Sequence, residues 1–188
     1  MNTHRFYQMA LAATLATSAI VIAPQTANAA SLFPDINPST EEGKAIINLA
    51  ERGIISGYPD GTFKPANFIT RTQAAKILAG ILHLDTVHVK NPHFKDITPD
   101  NENYGAIAAL AEAGIISGSN GYFNPTKQIT RGQLSKMLVK GFDLTITDDI
   151  DIPFTDVKAG SEYEPYIQTL FANNITKGTT PTTFGPQS

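Results

Sequence analysis

Leu49-Ala50-Glu51-Arg52-Gly53-Ile54-Ile55-Ser56-Gly57 returns as Leu110-Ala111-Glu112-Ala113-Gly114-Ile115-Ile116-Ser117-Gly118, and more loosely as Leu170-Phe171-Ala172-Asn173-Asn174-Ile175-Thr176-Lys177-Gly178. Self-similarity at a fixed period marks a repeat architecture, and it constrains the fold before any single element is read. Flanking segments recur in the same register. Phe33-Pro34-Asp35-Ile36 becomes Phe94-Lys95-Asp96-Ile97 and then Phe154-Thr155-Asp156-Val157. Phe63-Lys64-Pro65 becomes Phe123-Asn124-Pro125 and Phe184-Gly185-Pro186. Ile69-Thr70-Arg71-Thr72-Gln73 recurs once, as Ile129-Thr130-Arg131-Gly132-Gln133.

Each repeat reads as helix, turn, short extended segment, helix. In the first helix Ile46, Leu49 and Ala50, and again Ile107, Leu110 and Ala111, fall at helical spacing. Gly53, Gly114 and Asn174 stand where these helices stop, and Gly and Asn best tolerate the left-handed conformation of a helix C-cap. The second helix starts on a capping box, Thr70 with Gln73 and Thr130 with Gln133. Its apolar stripes are Ala74, Ile77, Leu78 and Ile81, then Leu134, Met137 and Leu138. Phe63, Phe123 and Phe184 are expected as apolar plugs. Two short helices cannot bury their own stripe, so the repeats are expected to share a core. The fold class is therefore all-α, with tandem helix-turn-helix repeats over 30–88, 89–149 and, incompletely, 150–188.

Residues 1–29 contain no acid and carry an apolar run ending at Ala27-Asn28-Ala29, the pattern of a cleaved signal peptide. The run falls short of the roughly 20 residues that a span requires. Cleavage would start the mature chain at Ala30, and no later segment is apolar enough to cross a membrane. A net charge of −3 excludes the basic excess that nucleic-acid binding requires. The absence of cysteine excludes disulfides and thiolate metal sites.

Arg71 and Arg131 occupy the first helical position after their Thr caps. A cation there opposes the helix dipole, at about 0.3–1 kcal/mol relative to an acid. Two readings follow. The guanidinium and unpaired helix-start N–H groups form an anion seat, or the arginine pairs with Asp35, Asp96 or Asp156 from a neighbouring repeat. His83, His88 and His93 match no zinc spacing. Asp148, Asp149, Asp151 and Asp156 lack the pattern of a calcium loop. Glu41 and Glu42 are adjacent on one helix and point apart. No metal, cofactor or catalytic constellation is expected.

Taken in order, these motifs resemble the S-layer homology domain, over residues 33 to 188. The resemblance implies three repeats in pseudo-threefold symmetry around a central helical bundle. It implies grooves between repeats that bind a secondary cell-wall polysaccharide, acidic and often pyruvylated, in a secreted protein of the cell wall or S-layer. The family's Thr-Arg-Ala-Glu arginine maps to Arg71 and Arg131, its groove glycine to Gly57, Gly118 and Gly178, and its opening acid to Asp35, Asp96 and Asp156. The alternative implied role is assembly with other S-layer subunits without sugar contact. This sequence departs from the family in lacking Trp; the slot holds Glu41, Glu102 and Glu162, with Tyr104 or Tyr163 as partial aromatic substitutes. The third repeat lacks a Thr-Arg helix, and Tyr166, Leu170 and Phe184 are expected to be poorly covered there.

Overall fold

The computed structural model describes residues 32–188. The expected signal segment lies outside the described residues. Five helices follow in order: α1 (Glu41–Glu51), α2 (Arg71–Ile81), α3 (Tyr104–Glu112), α4 (Arg131–Gly141) and α5 (Glu164–Ala172). Extended structure among the described residues is confined to isolated bridges, one of which joins Thr70 to Gln128. The fold is all-α, and none of these helices is long and apolar enough to cross a membrane.

The local rules read from the sequence operate at the helix ends. Both capping boxes form: Thr70 and Thr130 accept from the amides of Gln73 and Gln133, whose side chains accept from the cap amides. Gly53, Gly114 and Asn174 adopt φ of 69°, 70° and 57°. A side chain at Gly53 or Gly114 would touch nothing within 4 Å, so backbone conformation rather than crowding selects the residue there.

Each repeat is then closed by its opening acid. Asp96 accepts from the amides of Phe123 at 2.8 Å and Asn124 at 2.7 Å. Asp35 does the same for Phe63 and Lys64, and Asp156 for Phe184 and Gly185. The second residue of each clamped pair has positive φ, at 56° for Lys64, 60° for Asn124 and 74° for Gly185. A left-handed residue with a side chain is strained by roughly 1–2 kcal/mol, which the paired charge-assisted bonds offset. The clamp also brings the two phenylalanines of a repeat together. Ring centroids lie 5.5 Å apart for Phe33 and Phe63, and 5.6 Å apart for both Phe94–Phe123 and Phe154–Phe184.

Helix packing crosses the repeat boundaries. The second helix of one repeat lies on the first helix of the next, α2 on α3 and α4 on α5, and α2 also touches α4. One core cluster accordingly draws Ala75 and Leu78 from α2, Ile107 and Leu110 from α3, and Met137 from α4, while Phe154, Ile167 and Phe184 of the third repeat form a second. Because α4 meets both α2 and α5, its burial is wider than one stripe. Ser135 and Val139 are buried along with Met137, whereas the expected Leu134 and Leu138 are only partly covered. The expectation of a poorly covered third repeat is corrected. Leu170 and Phe184 are 3% and 2% exposed, and Tyr166 is half-buried, because α4 and the Asp156 clamp cover this repeat. Phe63, in contrast, is only half-buried.

Replacing Asp96 by Ala frees two half-buried amides at once. It is expected to lower stability by about 2–4 kcal/mol, read as a fall in the urea midpoint. The clamp should also be visible in pH dependence. Backbone amides, led by Phe63 for Asp35 and Phe184 for Asp156, hold both carboxyls below their ordinary pKa of 3.8. The stability they contribute is complete above the ordinary value and is lost as pH falls through the lowered one. The urea midpoint should therefore hold between pH 7 and 5 and drop below pH 4, with a shallower drop in Asp156→Asn.

Candidate functional site

The start of α2 is docked rather than open. The Arg71 amide donates to Lys127 O at 2.9 Å and the Thr72 amide to Pro125 O at 3.2 Å, while the Gln73 amide is taken by its cap. The start of α4 repeats the arrangement, with Arg131 N to Ser188 O at 2.9 Å and Gly132 N to Pro186 O at 3.0 Å. The expectation of unpaired helix-start N–H groups is thus corrected. The positive helix tip satisfies the carbonyls of the next repeat's Phe-x-Pro turn and leaves no amide seat for an anion.

The alternative, an arginine paired with an opening aspartate, does not form either. The carboxylates of Asp35, Asp96 and Asp156 face the clamped turns. Arg71 has no carboxylate partner among the described residues. Its Nε donates to Phe123 O at 2.7 Å, one terminal nitrogen donates to Gln133 Oε1 at 3.2 Å, and its carbon lies 4.8 Å from the Phe123 ring centre. The rest of the fork is left for another acceptor. Burial pulls its pKa below the ordinary value, with Tyr163 and then Asp96 acting in the opposite direction. Arginine stays charged in any case. A half-buried cation with part of its fork unused is a natural seat for a carboxylate.

Arg71 lines a cavity of about 420 Å³ built from three repeats. Ile115, Ile116 and Met137 form its apolar wall; Lys127, Gln128, Gln133 and Lys136 add polar groups; Glu162 and Tyr163 come from the third repeat. Sequence reasoning singled out Arg71 and Gly118 here but missed Lys136, Lys127 and Gln128. These three flank the Ile-Thr-Arg motif without belonging to it and carry no signal of their own; only the folded chain turns them to one side. Half-burial alone would lower the pKa of Lys136, but the Glu162 carboxylate 2.7 Å away outweighs it and leaves the ammonium above its ordinary value.

The other expected site residues are distributed differently. Arg131 repeats the Arg71 geometry, with Nε donating to Phe184 O at 2.8 Å and its carbon 4.6 Å from the Phe184 ring centre, but it does not line this cavity. Gly57, Gly118 and Gly178 make room inside their own repeats. A Cβ would come within 2.5 Å of Phe33 at Gly57, within 2.7 Å of Phe94 at Gly118 and within 2.5 Å of Phe154 at Gly178. Of the three, Gly118 lies on the cavity wall. Tyr104 packs against the core, whereas Tyr163 reaches the cavity because Gly132 lets its ring lie on α4, where a Cβ would be 2.7 Å away. His83, His88 and His93 are exposed, and His88 bonds to Asp85.

A sequence profile described as the S-layer homology domain matches residues 32–75, 93–135 and 153–188. The chain is 35% identical over 176 residues to the Surface-layer 125 kDa protein of Lysinibacillus sphaericus, covering 93% of this chain and 14% of that protein. It is 33% identical over 142 residues to the S-layer protein sap of Bacillus anthracis, covering 73% and 17%. It is 35% identical over 142 residues to the Cellulosome-anchoring protein of Acetivibrio thermocellus, covering 71% and 32%. The chain therefore spans about a seventh to a third of these relatives.

The packing role of Gly118 has a measurable consequence. Gly118→Ala places a methyl group 2.6 Å from Tyr122 O and 2.7 Å from the Phe94 ring. It is expected to destabilise the chain by about 1–3 kcal/mol in urea denaturation.

Proposed function

The chain belongs to the S-layer homology domain family, and from that premise we propose that it attaches a secreted surface protein non-covalently to the bacterial cell wall. The function is attachment, not catalysis, and its place is the cell wall or S-layer. The ligand is an acidic secondary cell-wall polysaccharide, with a pyruvylated sugar as the acid-bearing unit. The observation that carries this reading is Arg71: half-buried, without a carboxylate partner among the described residues, and on the wall of a cavity between repeats. A ketal-linked carboxylate on a sugar ring offers the paired oxygens that a guanidinium fork prefers. Tyr163 and the apolar wall offer the sugar a face to rest on. The relatives whose names state surface-layer or anchoring roles support the same reading. Arg131, held in the same way against the third repeat, is the second proposed seat.

A second reading, assembly with other surface proteins, has one observation in its favour. Leu138, Phe142, Leu144, Leu170 and Ile175 line an apolar pocket of about 360 Å³, and Phe142 and Ile175 are 48% and 53% exposed. Light scattering of the chain, with and without wall extract, tests that reading: a mass that rises with protein partners supports it, and a constant monomer mass under both conditions removes it.

For the attachment reading, the chain is incubated with wall sacculi, intact and stripped of secondary polymer. Pelleting with intact walls alone is expected. Arg71→Ala combined with Arg131→Ala should weaken pelleting tenfold or more, since bonds to charged groups contribute ~1.5–3 kcal/mol each. Full retention by a double variant that still melts cooperatively would assign both arginines to structure.

A further inference from the structure

The second cation of the groove is already engaged. Lys136 Nζ lies 2.7 Å from Glu162 Oε1, and both residues line the cavity that holds Arg71. Lys136 projects from α4, whereas Glu162 belongs to the turn that precedes α5, so the pair bridges two repeats across the groove. The two partners are unequally placed. The Lys136 side chain is 22% exposed and that of Glu162 is 61% exposed. Moving Glu162 aside returns a mostly hydrated carboxylate to water, while Lys136 stays on the cavity wall.

We propose that Glu162 is a built-in competitor for the ligand's acidic groups: it occupies Lys136 until an anionic polymer seated on Arg71 displaces it. This inference rests on the attachment reading and deepens it. The charged groups lining the cavity are Arg71, Lys127 and Lys136, with Glu162 as the single acid. A ligand with one carboxylate can sit on Arg71 without disturbing the pair. A ligand with a second anionic group gains Lys136 only by breaking it. Glu162 thus lowers the affinity of the groove for polyanions and makes singly charged units comparatively more acceptable. The contact is particular to this groove. Glu102, at the equivalent position of the preceding repeat, accepts instead from its neighbour Asn103 at 3.1 Å.

The test uses Glu162→Gln, which keeps the shape and removes the charge of an exposed residue. Binding to intact sacculi is expected to tighten about two- to fivefold, the range set by a weak, partly exposed ion pair. Glu102→Gln changes the net charge equally and should leave binding as it was. Lys136→Ala should weaken binding, and adding Glu162→Gln to it should bring no further gain. Unchanged or weaker binding by Glu162→Gln, or an equal gain by Glu102→Gln, overturns the competitor role while leaving attachment intact. Equal pelleting of the parent chain with intact and stripped walls overturns attachment itself, and the competitor role with it.

Discussion

The structure depends on a carboxylate that grips two successive backbone amides. In the second repeat it is Asp96 on Phe123 and Asn124. That grip holds a left-handed residue in place, sets the Phe94–Phe123 ring pair and fixes the direction of the Phe123 carbonyl. The carbonyl and the ring then hold Arg71, which belongs to the previous repeat. The next carbonyls along the same turn, Pro125 and Lys127, receive the first amides of α2. One local clamp therefore organises a junction between repeats. In this chain Asp96 is linked to the groove through this chain of contacts.

The arginine at the helix start becomes understandable on the same basis. Its position opposes the helix dipole, but the exposed positive tip no longer exists once α2 is docked. Its first two amides are paired with carbonyls and the third with the Thr70 hydroxyl, and a further carbonyl accepts from the guanidinium itself. The dipole penalty is largely removed by the partner repeat. What remains is a cation shielded on one side by a phenylalanine ring and open on the other.

The lack of tryptophan changes the groove in two ways. Tyr163 supplies an aromatic surface, and it can do so because the α4 position beneath it is glycine; in α2 the corresponding residue is Thr72, which bonds to Pro125 O. Glu162 supplies a negative charge where the family pattern places an aromatic ring. The groove thus sets one acid against three cations beside a single aromatic ring.

Much of the fold was legible in the sequence because its determinants are local. The C-cap positions at Gly53, Gly114 and Asn174 and the boxes at Thr70 and Thr130 depend on the backbone within a few residues, and period alone located the repeats. The site was legible only in outline. Arg71 stood out as a local misfit, but its partners lie some fifty to sixty residues away, and no spacing rule connects it to Phe123 or Gln133. Gly118, the expected place for sugar to approach, lies on the cavity wall, and Tyr122 O and the Phe94 ring leave no room there for a side chain. Lys136 and Glu162 gave no signal as a pair. Which segments form helices, and where they end, is readable along the chain, since neighbouring residues compete there for the same amides and carbonyls. Which charges face one cavity depends instead on how three repeats meet, and long-range packing sets that meeting.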